Sequence, residues 1–202
     1  MTKKINHVYL VEDNPDVSWQ LQKMLTHHGF VVSVHTDAAS FLMIKNHPRP
    51  TVVVSDMRMP GISGLELLRQ VKSQTDPMPV IFISGESQPQ EIIDGMKEGA
   101  VEFLWKPFGS HQLLQAIERG LALDLKLRLL KKQKSTFVLM LSLLSDREKE
   151  VLPLILLGHT NKSIAHILSI LPDTVKKHRA QIMEKMQVQN LPDLIALCAN
   201  QP

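Results

Sequence analysis

The sequence of 202 residues has one cysteine, few aromatic side chains and no long hydrophobic run. Because Cys198 has no second cysteine to pair with, a disulfide within the chain is excluded. The longest apolar stretch, residues 137–144, is interrupted by Ser142 and is far shorter than the roughly 20 residues that a membrane-spanning helix needs. Lys3 and Lys4 are followed by no apolar signal core, so we expect a cytoplasmic protein in a reducing compartment, without a membrane partner.

Disorder and collagen are also excluded, because 44% of the residues are hydrophobic and 21% are charged. The net charge of +3 hides an uneven distribution. Residues 1–120 carry 11 basic and 13 acidic side chains, residues 121–135 carry 5 and 1, and residues 136–202 carry 7 and 6. Since the basic excess lies in the middle of the chain, charge alone favours nucleic-acid binding no more than it favours a solvated charged helix.

Up to about residue 120, short apolar runs alternate with longer amphipathic segments. The runs predict strands, the third and fourth of them buried on both faces, at residues 7–11, 31–34, 51–54, 80–83 and 101–105. Helix-start signals lie between and after these runs, at Asn14, Asp37, Gly64, Gln88 and Ser110. Strands that alternate with helices predict an α/β fold with a doubly wound, five-stranded parallel sheet.

The strand pattern ends in the second half of the chain. The fifth helix keeps its amphipathic pattern towards residue 134, and we expect it to form a helical linker. Ser145 and Glu148 form a capping box that opens a helix closed by Gly158, and three more helical segments follow at 161–168, 172–187 and 192–199. The sequence therefore predicts three parts: an α/β domain, a helical linker and a small all-α domain, at residues 1–120, 121–137 and 138–202.

Polar side chains follow the carboxyl ends of the predicted strands, where open α/β sheets bind their ligands. Glu12 and Asp13 follow the first strand, Asp56 the third, Ser84 the fourth and Lys106 the fifth. Carboxylates at one edge repel each other unless a cation holds them, and oxygen ligands alone suit Mg²⁺. A single Asp at a strand end is usually a turn residue, but carboxylate, hydroxyl and ammonium groups together favour phosphoryl-group chemistry.

Four motifs at these strand ends resemble the receiver domain of two-component response regulators, over residues 5–120. They are Val-Glu-Asp at 11–13, Ser-Asp-Met-Arg-Met-Pro-Gly-Ile-Ser-Gly at 55–64, Ile-Ser-Gly at 83–85 and Phe-Leu-Trp-Lys-Pro-Phe at 103–108. The resemblance implies a flavodoxin-like fold in which Asp56 accepts a phosphoryl group from a histidine kinase and Lys106 contacts its oxygens. It also implies a Mg²⁺ site formed by Asp13, Asp56 and the Arg58 main-chain carbonyl, with Glu12 acting through water.

The resemblance further implies a switch, in which Ser84 moves to hydrogen-bond the phosphate while the ring of Phe103 turns inward. The family holds the bond corresponding to Lys106–Pro107 in cis, a form that X-Pro bonds permit. Two positions depart from the family pattern. Glu12 replaces the more usual aspartate, and Trp105 stands where a polar residue is more usual and is interpreted first as a partly exposed packing aromatic.

The predicted helices near 161–168 and 172–185 have the lengths of a helix-turn-helix pair. The second carries an apolar stripe that we expect to be core, at Val175, Ile182 and Met186. Three motifs resemble the LuxR-type DNA-binding domain: Leu-Ser-Asp-Arg-Glu-x-Glu-Val-Leu at 144–152, Gly-His-Thr-Asn-Lys-Ser-Ile-Ala at 158–165 and Asp-Thr-Val-Lys-Lys-His-Arg at 173–179. A receiver followed by this domain, here over residues 138–199, is the arrangement of the NarL/FixJ family.

The LuxR-type resemblance implies base contacts in the major groove from the recognition helix, at Lys176, Lys177 and Ala180. It implies phosphate contacts from Thr160, Asn161, Lys162, Thr174 and Arg179. Leu171 departs from the small polar residue usual in the family, and about 1 kcal/mol of helix capping is missing unless Asp173 or a DNA phosphate compensates. Ser169, in place of the usual turn glycine, is a milder departure.

The first functional hypothesis is a transcription regulator, not an enzyme beyond self-phosphorylation and self-dephosphorylation. Its expected partners are a histidine kinase, promoter DNA and a second copy of the phosphorylated chain, with RNA polymerase as a further candidate. A second hypothesis is a haloacid-dehalogenase-like phosphatase, but those enzymes place two aspartates two residues apart, whereas position 58 here is Arg. In a third hypothesis, the C-terminal domain binds protein instead of DNA, and the departure at Leu171 favours this hypothesis.

Overall fold

The computed structural model describes residues 6–199. Lys3 and Lys4, and the outermost residues of the first and last predicted domains, lie outside this range. Contacts between residues divide the chain into two compact units, one up to Arg128 and the other from Leu129 onwards. We call them the N-terminal unit and the C-terminal unit. No helix within residues 6–199 is both long and apolar enough to cross a membrane.

The N-terminal unit is built on a parallel sheet. Its five strands are β1 (His7–Val11), β2 (Val31–His35), β3 (Thr51–Asp56), β4 (Val80–Ser84) and β5 (Glu102–Trp105). They lie in the order β2-β1-β3-β4-β5, and every neighbouring pair is parallel. The predicted doubly wound α/β fold is confirmed. The strand order reverses between β1 and β3, which is where sheets of this kind bind their ligands.

Helices follow the strands: α1 (Pro15–His27), α2 (Ala38–Leu42), α3 (Gly64–Ser73), α4 (Pro89–Lys97) and α5 (Ser110–Ser142). Asn14 and Asp37 cap α1 and α2 as predicted, because their side-chain oxygens accept first-turn N–H groups. The predicted start of α3 was wrong by one residue. Its cap is Ser63, whose hydroxyl accepts the Glu66 N–H, and Gly64 is the first helical residue.

The fifth helix is longer than predicted. It continues past residue 134 to Ser142, because no glycine or proline interrupts residues 121–142. Leu121 and Asp124, which the sequence prediction assigned to the linker, are buried in the N-terminal unit. At the other end of the helix, Phe137 packs against the core of the C-terminal unit.

The apolar core of the N-terminal unit forms two layers, one on each face of the sheet. Alternate side chains of the central strands point to opposite faces. Val53 and Phe82 pack with α2 and α3 on one face, whereas Val54 and Ile81 pack with α1 and α5 on the other. β3 and β4 are buried along their whole length, as predicted, and so is β1, which the sequence did not single out.

A buried ion pair lies at the amino end of β3. The Asp124 side chain of α5, 1% exposed, binds the Arg49 guanidinium, whose side chain is 6% exposed. The second oxygen of Asp124 accepts the backbone N–H of Thr51 at 3.1 Å. Arg49 also donates to the Asp76 carbonyl oxygen at 2.6 Å and pairs with the Asp76 carboxylate at 2.9 Å. These bonds fix α5 to the first residue of β3.

The C-terminal unit contains the helices α6 (Asp146–Leu156), α7 (Asn161–Leu168), α8 (Pro172–Lys185) and α9 (Leu191–Ala199). Both hydrogen bonds of the predicted capping box at Ser145 and Glu148 are present. Gly158 follows α6 with a φ of 83°, which glycine adopts at little cost. The predicted apolar stripe is fully buried in the core of this unit, with Val175 and Ile182 on α8 and Met186 immediately after it.

Glu148 also joins two helices of the C-terminal unit. Its side chain is 2% exposed, and one carboxylate oxygen accepts the Ser145 N–H and the Lys185 ammonium, each at 2.7 Å. Burial acts to raise the pKa of Glu148, but the hydrogen bonds from Lys185 and Ser145 outweigh it, and the pKa lies below its usual value. Because Lys185 is the last residue of α8, the ion pair connects the start of α6 to the end of α8.

We expect Glu148→Gln to lower the stability of the C-terminal unit by about 1–2 kcal/mol at neutral pH, because a charged hydrogen bond is lost. The folded pKa of Glu148 is depressed, so its stabilisation is complete above the unfolded pKa of about 4.3 and is lost as the pH falls through the folded value. Amide hydrogen-exchange protection in α6 and α8 of the full chain measures the effect. Glu150→Gln, at an exposed position of the same helix, is the control, and equal protection in Glu148→Gln and wild type at pH 7 would contradict the prediction.

Candidate functional site

The polar residues predicted at the strand ends lie at one edge of the sheet. Glu12 and Asp13 follow β1, Asp56 ends β3, Ser84 ends β4 and Lys106 follows β5. The strands are parallel, so these ends share the edge at which the strand order reverses. Glu12, Asp13 and Asp56 each place a carboxylate oxygen within 4.8 Å of the others. The structure thus brings the three predicted carboxylates into one cluster.

Lys106 bridges two of these carboxylates. Its ammonium nitrogen lies 2.7 Å from Asp56 Oδ2 and 2.7 Å from Glu12 Oε2. Burial raises the pKa of Glu12, and the hydrogen bond from Lys106 offsets only part of that effect. Burial acts to lower the pKa of Lys106, but hydrogen bonds to Asp56 and Glu12 outweigh it, and the pKa is raised. Lys106 therefore carries its positive charge directly beside Asp56.

The carboxylate cluster has the ligand chemistry that Mg²⁺ prefers. All of its donor atoms are carboxylate oxygens, and hard divalent cations bind such oxygens while keeping several waters. Glu12 and Asp56 are buried whereas Asp13 is exposed, so the cluster is open to solvent on the Asp13 side. The Arg58 N–H donates to Asp56 Oδ1 at 3.1 Å, so each oxygen of Asp56 accepts a bond from a different partner. These residues fit a magnesium ion.

The position of Asp56 depends on a close approach between two backbone segments. The Gly64 N–H donates to the Met57 carbonyl at 2.9 Å. A Cβ atom at position 64 would lie 2.5 Å from the Asp56 carbonyl oxygen and 2.9 Å from the Met57 Cα. Because both neighbours are backbone atoms, a larger residue would displace the end of β3. The glycine that closes the 55–64 motif is therefore required by packing.

Ser84 is buried and forms its hydrogen bonds on the side of the segment that leads to α4. The Ser87 hydroxyl donates to Ser84 Oγ at 2.8 Å, and the Glu86 N–H approaches the same atom at 3.4 Å. The exposed fractions of Ser84 and Ser87 are 1% and 6%. The sequence prediction did not include Ser87, because a serine in the segment before a helix is usually a turn or cap residue.

Two aromatic rings lie along β5. Phe103 is half-buried against the core layer that faces α2 and α3. Trp105, which is 48% exposed, contacts it edge to face, with ring centroids 5.6 Å apart and ring planes at 82°. This arrangement agrees with the interpretation of Trp105 as a partly exposed packing aromatic. The Lys106–Pro107 bond that follows is cis, as the resemblance implies.

Arg58 connects the end of β3 to the first turn of α4. Its guanidinium lies 3.1 Å from Glu91 Oε2, and that oxygen also accepts the Gln88 N–H at 2.6 Å. The hydrogen bond from Gln88, and after it the interactions with Arg58, lower the pKa of Glu91. Glu91 was not among the predicted residues, although its place three residues after Gln88 is typical of a capping box.

The predicted DNA-contact residues lie on α7, on α8 and immediately before α7. Those implied to reach bases are exposed on α8: Lys176, Lys177 and Ala180. Among the implied phosphate contacts, Thr160 and Lys162 are exposed, and three others are partly buried: Asn161, Thr174 and Arg179. Thr160 also caps α7, since its side chain accepts the Ser163 N–H at 3.2 Å. Arg179 Nη1 approaches the His159 carbonyl oxygen at 3.4 Å, a contact that the sequence did not predict.

Both departures in the turn between α7 and α8 are visible. Leu171 is 72% exposed, and its side chain makes no capping hydrogen bond at the start of α8. Ser169 ends α7 in the left-handed conformation, with φ 54° and ψ 44°, where glycine would be less strained. The lengths and order of the two helices are nevertheless those of a helix-turn-helix pair.

Family models match both units. Residues 8–118 match the "Response regulator receiver domain", and residues 142–198 match the "Bacterial regulatory proteins, luxR family". The chain is 38% identical over 190 residues to the transcriptional regulatory protein FixJ of Rhizobium meliloti, covering 94% of this chain and 93% of that protein. It is 35% identical over 195 residues to the response regulator protein TodT of Pseudomonas putida F1, covering 96% and 86%.

The chain is also similar to solved structures of response regulators. The response regulator StyR superposes with a TM-score of 0.88 at 37% identity, over 96% of this chain and 98% of StyR. Full-length FixJ from B. japonicum matches with a TM-score of 0.57 at 32% identity, over 96% and 95%. The isolated FixJ-N structure matches 58% of this chain and 94% of its own length, with a TM-score of 0.55 at 38% identity.

Proposed function

Because this chain belongs to the FixJ-type two-component response regulators, which control transcription through a LuxR-type DNA-binding domain, we propose that phosphorylation of Asp56 by a histidine kinase regulates its DNA binding. The observation that carries the proposal is the Lys106 ammonium, 2.7 Å from Asp56 Oδ2 in a cluster of three carboxylates. A carboxylate beside a fixed positive charge is suited to accept a phosphoryl group, because that charge stabilises the added oxygens.

In the proposed reaction, one carboxylate oxygen of Asp56 forms a bond to phosphorus while the P–N bond of the kinase phosphohistidine breaks. The released imidazole takes up a proton. Asp13, Asp56 and the Arg58 carbonyl would hold Mg²⁺, with Glu12 acting through water, and the ion would supply further positive charge to stabilise the transferred phosphoryl group. Self-phosphorylation from small acyl phosphates and self-dephosphorylation would use the same residues, and this chemistry is confined to the phosphoryl group carried by Asp56.

Phosphorylation adds a charge of roughly −1.5 to −2 at Asp56. The new oxygens attract Lys106 and accept a hydrogen bond from Ser84, which leaves its resting position. Phe103 then turns inward and alters the surface formed by α4 and β5. A second phosphorylated copy binds at this surface, so the active regulator is a homodimer.

The C-terminal unit then binds promoter DNA with α8 in the major groove. Lys176, Lys177 and Ala180 are exposed and contact bases, and the phosphate contacts come from the residues around the start of α7 and α8. A recognition helix of this length makes few base contacts, so a dimer on two half-sites about one helical turn apart binds more tightly than a monomer.

The regulator acts in the cytoplasm, and RNA polymerase is its candidate partner at the promoter. The proposed receiver, linker and DNA-binding domain are residues 1–120, 121–137 and 138–202, and the start of the linker, at Leu121 and Asp124, packs into the N-terminal unit.

Sedimentation and DNA titration of the wild-type chain, each with and without an acyl phosphate and Mg²⁺, test the proposal. We expect phosphorylation to increase the dimer fraction and the affinity for DNA together. A complete shift from 1:99 to 99:1 needs about 5.5 kcal/mol, so a partial shift is the expected result. Tighter DNA binding by a species that stays monomeric on and off DNA would overturn the dimer mechanism. DNA binding that never responds to phosphorylation would overturn the proposed regulation.

Lys176→Ala and Lys177→Ala should each weaken binding to a selected DNA fragment by about 1–3 kcal/mol and relax its sequence preference, because a base contact is lost. The probe is a fragment enriched from a random-sequence pool by the phosphorylated chain, compared with a scrambled fragment. Lys162→Ala provides the contrast. It should weaken binding to both fragments alike and reduce the salt dependence, since a phosphate contact carries no sequence information. Unchanged discrimination in both α8 variants would contradict the assignment.

A further inference from the structure

The hydroxyl of Ser84 has a close partner that the proposed reaction does not use. Ser87 lies between β4 and α4, and its hydroxyl donates to Ser84 Oγ at 2.8 Å. Both side chains are almost completely buried, with exposed fractions of 6% and 1%. The Glu86 N–H lies 3.4 Å from the same oxygen. Ser84 Oγ is therefore held towards the segment that leads into α4.

The proposed switch requires Ser84 Oγ in another position. No hydrogen bond within residues 6–199 joins Ser84 Oγ to Asp56 or Lys106. A serine hydroxyl changes position by rotation between staggered rotamers. If Ser84 rotates towards an oxygen on Asp56, it leaves the Ser87 hydroxyl without its acceptor in a buried position. Losing the partner of a buried polar group is unfavourable, so the bond opposes the rotation.

We propose that Ser87 is a positioning residue that holds Ser84 in the resting orientation and thereby sets how strongly the receiver responds to phosphorylation. The inference rests on the proposed function, because it assumes that Ser84 moves towards a phosphoryl group on Asp56. In this mechanism, two opposing effects control the orientation of Ser84. Phosphorylation favours rotation of Ser84, and Ser87 opposes it. Since the next residue, Gln88, is the N-cap of α4, Ser87 also lies where a change at Ser84 would reach α4.

Ser87→Ala removes the hydroxyl donor and leaves Ser84 free to rotate. A typical hydrogen bond contributes about 1 kcal/mol, and 1.4 kcal/mol is a tenfold change, so we expect the ratio of active to resting receiver to rise about fivefold. DNA binding by the unphosphorylated chain should therefore become several-fold tighter. After full phosphorylation, the difference in DNA affinity between Ser87→Ala and wild type should be smaller, because phosphorylation has already moved both chains towards the active state.

Three further variants separate this mechanism from a general loss of packing. Ser87→Thr keeps the hydroxyl and should behave as wild type. Ser18→Ala removes another buried serine hydroxyl, which donates to the Pro15 carbonyl at 3.0 Å within α1, and should leave the regulation of DNA binding unchanged. In a Ser84→Ala background, the Ser87→Ala change should have no further effect, because Ser87 acts through Ser84 Oγ.

The experiment measures DNA affinity with and without acyl phosphate and Mg²⁺, together with the fraction of chains labelled at Asp56. Several-fold tighter binding by unphosphorylated Ser87→Ala that disappears in the Ser84→Ala background supports the inference. Unchanged or weaker DNA binding by Ser87→Ala overturns the inference, and so does an equal gain in affinity in the Ser84→Ala background. If Asp56 is labelled normally in these variants, the proposed function still stands. If the wild-type chain accepts no label at Asp56, the proposed function itself fails, and the inference fails with it.

Discussion

Asp56→Asn is expected to remove all phosphoryl labelling of the chain by an acyl phosphate in Mg²⁺. The substitution keeps the size of the side chain and leaves an amide oxygen that Lys106 can still bind. An uncharged amide oxygen, however, is a far weaker nucleophile than a carboxylate, and the replacement also takes one charge from the magnesium ligands. Intact-mass measurement of the variant and the wild type, after equal exposure to the phosphodonor, gives the labelled fraction directly. The increase of DNA affinity on phosphorylation should be lost with the label.

The matched control is Asp16→Asn, which changes an exposed carboxylate in the first turn of α1. This variant should be labelled as fully as the wild type, because Asp16 is not part of the carboxylate cluster. Label that persists in Asp56→Asn at the wild-type level would show that another residue is the acceptor. Label found on Asp13 in the variant would mean that the cluster accepts phosphoryl groups but that its acceptor was assigned wrongly.

The fold could be predicted where local patterns determine it. The apolar runs of β3 and β4 and the caps Asn14 and Asp37 lie where the sequence placed them, because each depends on neighbouring residues. The burial of β1 is different, since it follows from the position of that strand between β2 and β3. Asp124 was assigned to the linker for a similar reason. A charged side chain such as Asp124 is usually exposed, and its partner Arg49 is distant in the sequence and reaches it only in the folded chain.

The candidate site shows the same division. Asp13, Asp56 and Lys106 could be chosen because the ends of parallel strands meet at one edge whatever the loops do. Ser87 could not be chosen, because its contact with Ser84 depends on the path of the segment between β4 and α4. The Glu91–Arg58 pair likewise depends on where α4 starts relative to the end of β3. Residues placed by loop geometry are therefore the ones that only the structure reveals.

The second large effect is expected at the buried ion pair of the N-terminal unit. Asp124→Ala should lower its free energy of unfolding by about 3 kcal/mol, since removing one partner leaves the other charge buried and unpaired. The Thr51 N–H also loses its acceptor. The effect should be at the lower end of the range for buried pairs, because the Asp76 carboxylate remains 2.9 Å from Arg49. Denaturant unfolding of the full chain, followed by tryptophan fluorescence, measures this unit, because both tryptophans lie in it.

Two comparisons test whether the loss comes from the unpaired charge. Glu118→Ala, at an exposed position of the same helix, should change stability by less than about 0.5 kcal/mol. Arg49→Met combined with Asp124→Leu removes both charges and should recover most of the stability lost in Asp124→Ala, because apolar residues of similar size often replace a buried ion pair without cost. If Asp124→Ala loses less than about 1 kcal/mol, the pair does not hold α5 to β3. If the double variant is as unstable as Asp124→Ala, then the bond from Asp124 to the Thr51 N–H, rather than the charge on Arg49, accounts for the loss.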